Sequence, residues 1–114
     1  MSLTAGNPQA HQVLDALGNQ IRRDILALLK ESPLTVGSIA THLPISRPAV
    51  SKHLRILQEA GLVGYNSAGT RNIFYLKPAG FTEVKAYLDL FWDVALANFR
   101  RVAEETERAS YEQP

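Results

Sequence analysis

The spacing of apolar and polar residues predicts four helices in the first half of the chain. Apolar residues recur at helical intervals in the segments 9–17, 20–30, 36–42 and 47–60. The last three segments follow residues that commonly cap helix N-termini, namely Asn19, Thr35 and Ser46. A short connection containing Pro44 joins the third and fourth helices, which is the anatomy of a helix-turn-helix.

Two short runs after these helices predict a β-hairpin. Segments 63–66 and 72–76 are rich in β-branched and aromatic residues, and residues 67–71 separate them. Gly69 can supply the positive φ that such a loop needs. A hairpin after a helix-turn-helix is a wing. The predicted fold class is therefore α+β: mainly α-helical with a small β-hairpin wing, a winged helix-turn-helix.

The predicted last helix, 81–107, carries more apolar surface than its own small core needs. Its stripe consists of Phe81, Val84, Leu88, Phe91, Trp92, Ala95, Leu96, Phe99 and Val102. The stripe covers about half of the helix, whereas about 100° suffices for a face on its own core. Either the helix covers one side of the sheet, or it forms an interface, where aromatic residues are enriched.

We favour a homodimer formed through the last helix. Its predicted interface residues are Leu88, Phe91, Trp92, Ala95 and Phe99. A length of 114 residues fits one domain. The expected organisation is a flexible N-terminus over 1–8, a DNA-binding and dimerisation domain over 9–107 that includes the dimerisation helix 81–107, and a flexible tail over 108–114.

Composition excludes several classes of protein. The chain is 46% hydrophobic and 20% charged, which is a globular composition, and it contains no cysteine. Disulfides, thiolate metal sites and cysteine nucleophiles are therefore excluded. No apolar run approaches the ~20 residues of a membrane span, and no secretory signal is visible. A cytoplasmic protein without a membrane partner is expected.

Charge is unevenly distributed although the net charge is only +1. Up to Pro78 the chain contains eight lysines and arginines but only four acidic residues. From Ala79 onward it contains four lysines and arginines and seven acidic residues. Glu59 is the only acid between Arg47 and Lys77. A basic middle and an acidic end suggest that one part of the chain contacts a polyanion.

The predicted helix 47–60 offers donors suited to phosphates and base edges. In a helix-turn-helix the second helix enters the major groove with its N-terminal end, so Arg47 or Lys52 could read guanine. Ser51 could contact a base or a phosphate, and the wing tip could reach a neighbouring groove or phosphate. The predicted DNA-binding residues are Thr35, Ser46, Arg47, Pro48, Ser51, Lys52, Arg55, Thr70, Arg71 and Asn72.

The histidines fit structural roles. We expect His53 at the edge of the helix-turn-helix core and His42 at a helix C-terminus, where its ring interacts favourably with the dipole. His11 could approach its symmetry mate. A zinc site there would need carboxylate partners that the sequence does not identify, so no metal and no cofactor are predicted.

Arg22 and Arg23 are adjacent and point in directions about 100° apart on a helix. We expect one of them to pair with an acid such as Asp24 or Glu59, and the other to be free to contact phosphate. The sequence does not say which one faces DNA.

Several motifs resemble the ArsR/SmtB family of winged-helix repressors. These are LTVGSIA at 34–40, ISRPAVSKHL at 45–54, LQEAGLV at 57–63, NQIRRDIL at 19–26 and GTRNIFYL at 69–76. The resemblance covers roughly residues 10 to 100. It implies a homodimer whose first and last helices pair across the two-fold axis, which adds Val13, Leu14 and Leu17 of the first helix to the predicted interface. It also implies binding to a palindromic operator, usually with repression and often of its own operon.

The chain departs from the family's metal sensors. Ser38, Ile39 and Ala40 occupy the region of their Cys-x-Cys motif, and the last helix, where other members bind zinc through Asp and His, contains no histidine. The segment LFWDVAL at 90–96 resembles the metal-independent branch of SdpR-type autorepressors. In that branch a partner protein or an unknown ligand is the implied effector.

The function predicted from the sequence is a transcriptional regulator that binds specific double-stranded DNA. The alternative is a winged helix that serves as a protein–protein interaction module and binds duplex weakly, without sequence preference. No Gly-rich phosphate loop, carboxylate pair or nucleophile–base arrangement is visible, so an enzyme is not expected.

Overall fold

The computed structural model describes residues 7–112, with side chains as far as Ser110. Its elements are α1 (Pro8–Leu17), α2 (Gln20–Glu31), β1 (Leu34–Thr35), α3 (Val36–Thr41), α4 (Arg47–Glu59), β2 (Val63–Ala68), β3 (Arg71–Leu76), a 3-10 turn (Pro78–Phe81) and α5 (Thr82–Glu112). The predicted helices and hairpin are confirmed. Strand β1 and the 3-10 turn were not predicted, because both are too short to show a period.

The helix ends extend beyond some of the predicted limits. Helix α1 begins at Pro8 after the cap Asn7, and α5 continues through residues 108–112, which the sequence suggested were a flexible tail. Residues 1–6 and 113–114 of the predicted flexible ends lie outside the described residues. Within the described part of the chain, no helix is both long enough and apolar enough to cross a membrane.

The three strands form an antiparallel sheet in the order β1-β3-β2. Ala68 pairs with Arg71, so the wing loop is only the two residues Gly69 and Thr70, shorter than the predicted five. Gly69 has φ +64°, as predicted, and stands first in the loop, where a type II′ turn requires it. Thr35 pairs with Ile73, which ties the start of α3 to the wing.

The core lies where α1, α2, α3, α4 and the sheet meet. Its largest fully buried side chains are Val13, Ile25, Ile39, Val50, Leu54, Leu57, Leu62 and Val63. Val13, which the sequence placed in the dimer interface, is 0% exposed and supports α1 from inside the protomer. The half-buried Leu14 and Leu17 are the α1 residues left for an interface.

Residues from Lys85 onward form a second compact unit made of α5. Its apolar side chains are largely exposed, including Leu88 (46%), Phe91 (58%), Trp92 (64%) and Phe99 (73%). Large exposed apolar patches mark interfaces.

Candidate nucleic-acid interface

The helix-turn-helix begins each of its helices with a hydroxyl cap. The Thr35 hydroxyl oxygen accepts a hydrogen bond from the Ser38 amide at 3.2 Å, and the Ser46 hydroxyl oxygen accepts one from the Ala49 amide at 3.3 Å. Both predicted caps are thus confirmed. The Thr35 hydroxyl also donates to the Ser38 hydroxyl at 3.2 Å, so its donor is engaged within the chain. A phosphate contact by Thr35 stays a prediction.

A pocket of about 450 Å³, the wing-tip pocket, brings together residues from β1, α3, α4, β3 and the β2–β3 loop. It is lined by Thr35, Val36, Gly37, Thr41, Arg47, Thr70, Arg71 and Asn72. Five of the ten predicted DNA-binding residues therefore share one concave surface. The pairing of β1 with β3 causes this arrangement, since it places the start of α3 beside the wing.

Arg47 is the first residue of α4, and its side chain lies against the backbone of α3. A Cβ added at Gly37 would stand 3.2 Å from Nη2 of Arg47, so the absent side chain of Gly37 leaves room for the guanidinium. Arg47 is nevertheless exposed to solvent. The arrangement supports the guanidinium from one side and leaves its donors available to an anion.

A neighbouring pocket of about 460 Å³, the strand pocket, continues this surface along α4. It is lined by Val36, Ser51, Leu54, Arg55, Gln58, Tyr65, Asn72 and Phe74. Asn72 lines both pockets, and its side-chain oxygen accepts a hydrogen bond from the Ser67 hydroxyl at 3.1 Å across the hairpin. The hairpin register thus fixes Asn72 between the two pockets.

Three polar residues of these pockets were missed by the sequence analysis. Gln58 follows Arg55 by three positions and Ser51 by seven, so helical spacing could have identified it. Tyr65 is 43% exposed on β2, and Thr41 ends α3 beside the wing tip. Thr41 gave no sequence signal, because its place in the pocket depends on the fold.

Three predicted residues line neither pocket. Ser46, Pro48 and Lys52 are exposed at or near the start of α4, and Pro48 lies in the first turn, as expected. Their roles at a DNA surface stay predictions.

Among the described residues, no carboxylate forms an ion pair with the cations of this surface. The side-chain ion pairs among the described residues are Lys30–Glu31 and Lys85–Asp89. Arg47, Arg55 and Arg71 therefore contribute uncompensated positive charge to the two pockets. Such charge is the electrostatic basis of binding to the phosphate backbone.

Helix α1 holds the C-terminal end of α4. The side-chain amide nitrogens of Gln9 and Gln12 donate to the carbonyl oxygens of Ala60 and Glu59, each at 3.1 Å. These contacts satisfy carbonyl groups that the end of a helix leaves without intrahelical partners. The sequence did not indicate them, since the partners are about 50 positions apart.

The expected pairing of Arg22 or Arg23 with an acid is wrong. Arg22 donates from Nε to the Ala16 carbonyl at 2.7 Å, and Arg23 donates from Nη1 to the Leu17 carbonyl at 2.7 Å. Both arginines therefore satisfy carbonyls at the C-terminus of α1. Asp24 instead accepts a hydrogen bond from the Gln20 side chain at 2.8 Å.

His42 and His53 occupy the predicted structural positions. His42 follows α3, and its Nδ1 lies 2.9 Å from the Ser38 carbonyl, the acceptor expected of a C-terminal cap. His53 is half-buried on α4, with Nδ1 3.4 Å from Nη1 of Arg22. Burial, followed by the charges of Arg22 and then Lys52, holds the pKa of His53 below its ordinary value of 6.5.

This lowered pKa predicts a pH effect on stability. The folded state binds a proton at His53 less readily than the unfolded chain, so the free energy of unfolding falls as pH drops from 6.5 through the folded-state pKa. Arg22→Gln should raise the pKa of His53 towards 6.5, as followed by NMR titration of its ring protons. The matched change Lys30→Gln, at an exposed site on α2, should leave the pKa of His53 unchanged. An unchanged His53 titration in Arg22→Gln would contradict the assigned electrostatic cause.

The geometry gives no sign of a metal centre in residues 7–112. Among them no group of three or more histidine, aspartate or glutamate side chains is arranged to hold a metal ion. The concentration of polar and cationic groups at the wing and α4 distinguishes this surface as the candidate site.

Comparison with known proteins decides the family. Residues 19–65 match the family described as bacterial regulatory protein, arsR family. The chain is 43% identical over 89 residues to the HTH-type transcriptional regulator Rv2034 of Mycobacterium tuberculosis, an alignment covering 78% of this chain and 83% of that protein. The chain belongs to the ArsR family. It is therefore an ArsR-family transcriptional regulator and not an enzyme.

Two further comparisons refine the picture of this ArsR-family protein. It is 41% identical over 59 residues to the transcriptional repressor SdpR of Bacillus subtilis, covering 52% of this chain and 66% of that repressor. Its fold resembles a homodimeric winged helix-turn-helix DNA-binding domain from Mycobacterium bovis, with a TM-score of 0.59 and 29% identity. That alignment covers 82% of this chain and 83% of the other. None of these comparisons supports the alternative of a protein–protein interaction module.

Proposed function

We propose that this ArsR-family regulator is a cytoplasmic homodimeric repressor of its own or a neighbouring operon. Each protomer places α4 in the major groove of a palindromic operator, with the β2–β3 wing beside it. The observation that carries this proposal is the shared lining of the wing-tip pocket by Arg47 and Arg71. Two cations from different elements, neither with a carboxylate partner in the part of the chain that the structure describes, suit the phosphates and base edges of a duplex.

The dimensions of α4 support this docking. Arg47, Ser51 and Arg55 are four positions apart and form one stripe about 12 Å long. The major groove of B-DNA is about 12 Å wide and admits an α-helix. Arg47 and Ser51, nearer the N-terminal end of α4, can then face the bases while Arg55 contacts the phosphate backbone.

The exposed stripe of α5 supports the dimer. Phe91, Trp92 and Phe99 expose more than half of their surface, and aromatic residues are enriched in protein interfaces. A two-fold dimer presents two copies of α4, which matches the two half-sites of a palindrome. The homodimeric Mycobacterium bovis domain has a similar fold.

The residue content supports regulation without a metal. The chain has no cysteine, and its last histidine is His53, so α5 carries no imidazole ligand. Borderline metals such as zinc are bound by Cys, His and carboxylate ligands in combination. We propose that a partner protein or a small ligand acts as effector instead.

The proposal is tested by binding to the promoter of the protein's own gene. Fluorescence anisotropy with a promoter fragment and a random duplex, each across salt concentrations and with chelator, should give nanomolar, promoter-specific binding that survives chelation. The logarithm of the affinity should fall with that of salt, by ~0.9 per contacted phosphate. In vitro transcription should then show repression. The proposal would be rejected if promoter fragments from its own gene and from the neighbouring operons all bound as weakly as random duplex.

Alanine at Arg47 or Lys52 should weaken binding to the promoter fragment. A cation that reads a base contributes about 1–3 kcal/mol, so we expect a loss of about 5- to 150-fold and a relaxed preference at one base pair. Arg108→Ala removes the same charge from α5 and serves as the control. An equal loss on all sequences would identify a phosphate contact, and no loss would remove the residue from the interface.

A further inference from the structure

A third pocket, the α2 pocket, lies outside both pockets of the DNA interface. Its volume is about 330 Å³, and its apolar lining consists of Leu17, Leu26, Ala27, Leu76 and Phe81. The other residues that line it are Arg23 and Lys30. The proposed function assigns no ligand to this pocket, although its size lies within the range of small-molecule sites. One of its lining residues, Leu17, also belongs to the predicted dimer interface.

Helix α2 contributes two cations to the pocket, with an apolar residue between them. Arg23, Ala27 and Lys30 follow one another at intervals of four and three positions, so they share one face of the helix. The seven positions between the two cations span about 10.5 Å along the helix axis. Ala27 has the smallest side chain of this lining and thereby leaves space at its centre.

The guanidinium of Arg23 is held at the edge of the pocket. Nη1 donates to the Leu17 carbonyl at 2.7 Å, and Nη2 donates to the Gln20 side-chain oxygen at 2.9 Å. A guanidinium has five N–H donors, so these two bonds orient the group and leave further donors for a ligand.

Lys30 also remains available. Its ammonium group lies 3.9 Å from the carboxylate of Glu31, and both side chains are largely exposed. Exposed pairs of this kind contribute little, and Glu31 does not line the pocket. The lining thus carries two cations and no acid.

We propose that the α2 pocket binds a small amphipathic organic anion, a carboxylate attached to a hydrocarbon chain or ring. The hydrocarbon part lies over Leu26, Ala27 and Phe81, and the carboxylate accepts hydrogen bonds from Arg23 or Lys30. Charge-assisted bonds of this type are about twice as strong as neutral ones. The inference goes beyond the proposed function and does not depend on it.

The test is calorimetric titration of the full-length protein with octanoate and, separately, with octylamine. The two probes share a chain length and carry opposite charges at neutral pH. We expect one octanoate per protomer and at least tenfold weaker binding of octylamine. Ala27→Phe, which fills the pocket, and the double variant Arg23→Gln/Lys30→Gln should each weaken octanoate binding at least tenfold.

Ala86→Phe places the same ring at an exposed position of α5 and should bind octanoate like the wild type. Thermal melts of every variant separate loss of the site from loss of the fold. Equal binding of both probes, or an unchanged affinity in Ala27→Phe, would overturn the proposal. Failure of octanoate to bind would also overturn the proposal. If Ala27→Phe then self-associates more weakly than the wild type, the pocket is instead a contact between copies of the chain. If the protein binds octanoate but shows no preference for its promoter fragment, the proposed function is rejected and the proposal for the α2 pocket stands.

Discussion

Glutamate at both Phe91 and Phe99 converts the proposed dimer to a monomer and lowers operator affinity about a hundredfold or more. Both side chains lie on the exposed apolar stripe of α5, at 58% and 73% exposure. Four carboxylates would have to be buried in the dimer, and burial of unpaired charge is costly. Loss of the dimer removes the linked binding of two half-sites, an effect of roughly 10²–10⁴ in affinity.

A matched control lies on the same helix. Leu90 is 63% exposed, and at 100° per residue both Leu90 and Ala97 lie opposite the stripe. Leu90→Glu/Ala97→Glu should therefore remain dimeric and bind operator normally. Analytical ultracentrifugation and anisotropy measure the two properties. A dimeric Phe91→Glu/Phe99→Glu protein, or equal effects of both double variants, would contradict the proposed interface.

Alanine at Gly80 destabilises the fold by about 3 kcal/mol, at the upper end of what overpacking usually costs. A Cβ at this position would lie 2.0 Å from the Gly61 carbonyl oxygen. Because the obstacle is main chain, no side chain can rotate to relieve the contact. The neighbouring bond from the Lys77 amide to the Leu62 carbonyl, at 2.8 Å, holds the two segments together.

Urea denaturation measures this effect as a lower midpoint with an unchanged slope. Gly69→Ala is the comparison, because Gly69 has φ +64° but nothing within 4 Å of an added Cβ. The left-handed conformation alone costs about 1–2 kcal/mol, so Gly69→Ala should lose less stability. Equal midpoints in the two variants would show that the segments separate easily and that no close approach constrains Gly80.

Local chemistry in the sequence was sufficient to predict the helices, their caps and the hairpin. Asn19, Thr35 and Ser46 cap helices because a side-chain oxygen reaches an amide only three positions away. Gly69 was identified as the turn residue because no other residue type adopts positive φ so readily. The acid-free run from Arg47 to Arg55 likewise marked α4 as the element for a polyanion.

The sequence could not predict contacts between distant segments. Strand β1 has only two residues and exists because Leu34 and Thr35 pair with β3. One of Arg22 and Arg23 was expected beside an acid, yet the exposed carbonyls at the end of α1 lie within reach of both and need donors. Charge pairing could be guessed from the sequence, whereas unsatisfied carbonyls become visible only with the fold.

The sequence by itself thus determined the winged helix-turn-helix, the family and the basic face of α4, since each depends on residues a few positions apart. The tertiary structure alone decided which residues share a surface. In the structure Arg47 and Arg71 line the same pocket, and Gln9 donates a hydrogen bond to the carbonyl at the end of α4. Val13, which the sequence placed in the dimer interface, is buried in the core. Periodicity reports which face a residue occupies, but only the packing of one element against another decides what that face meets.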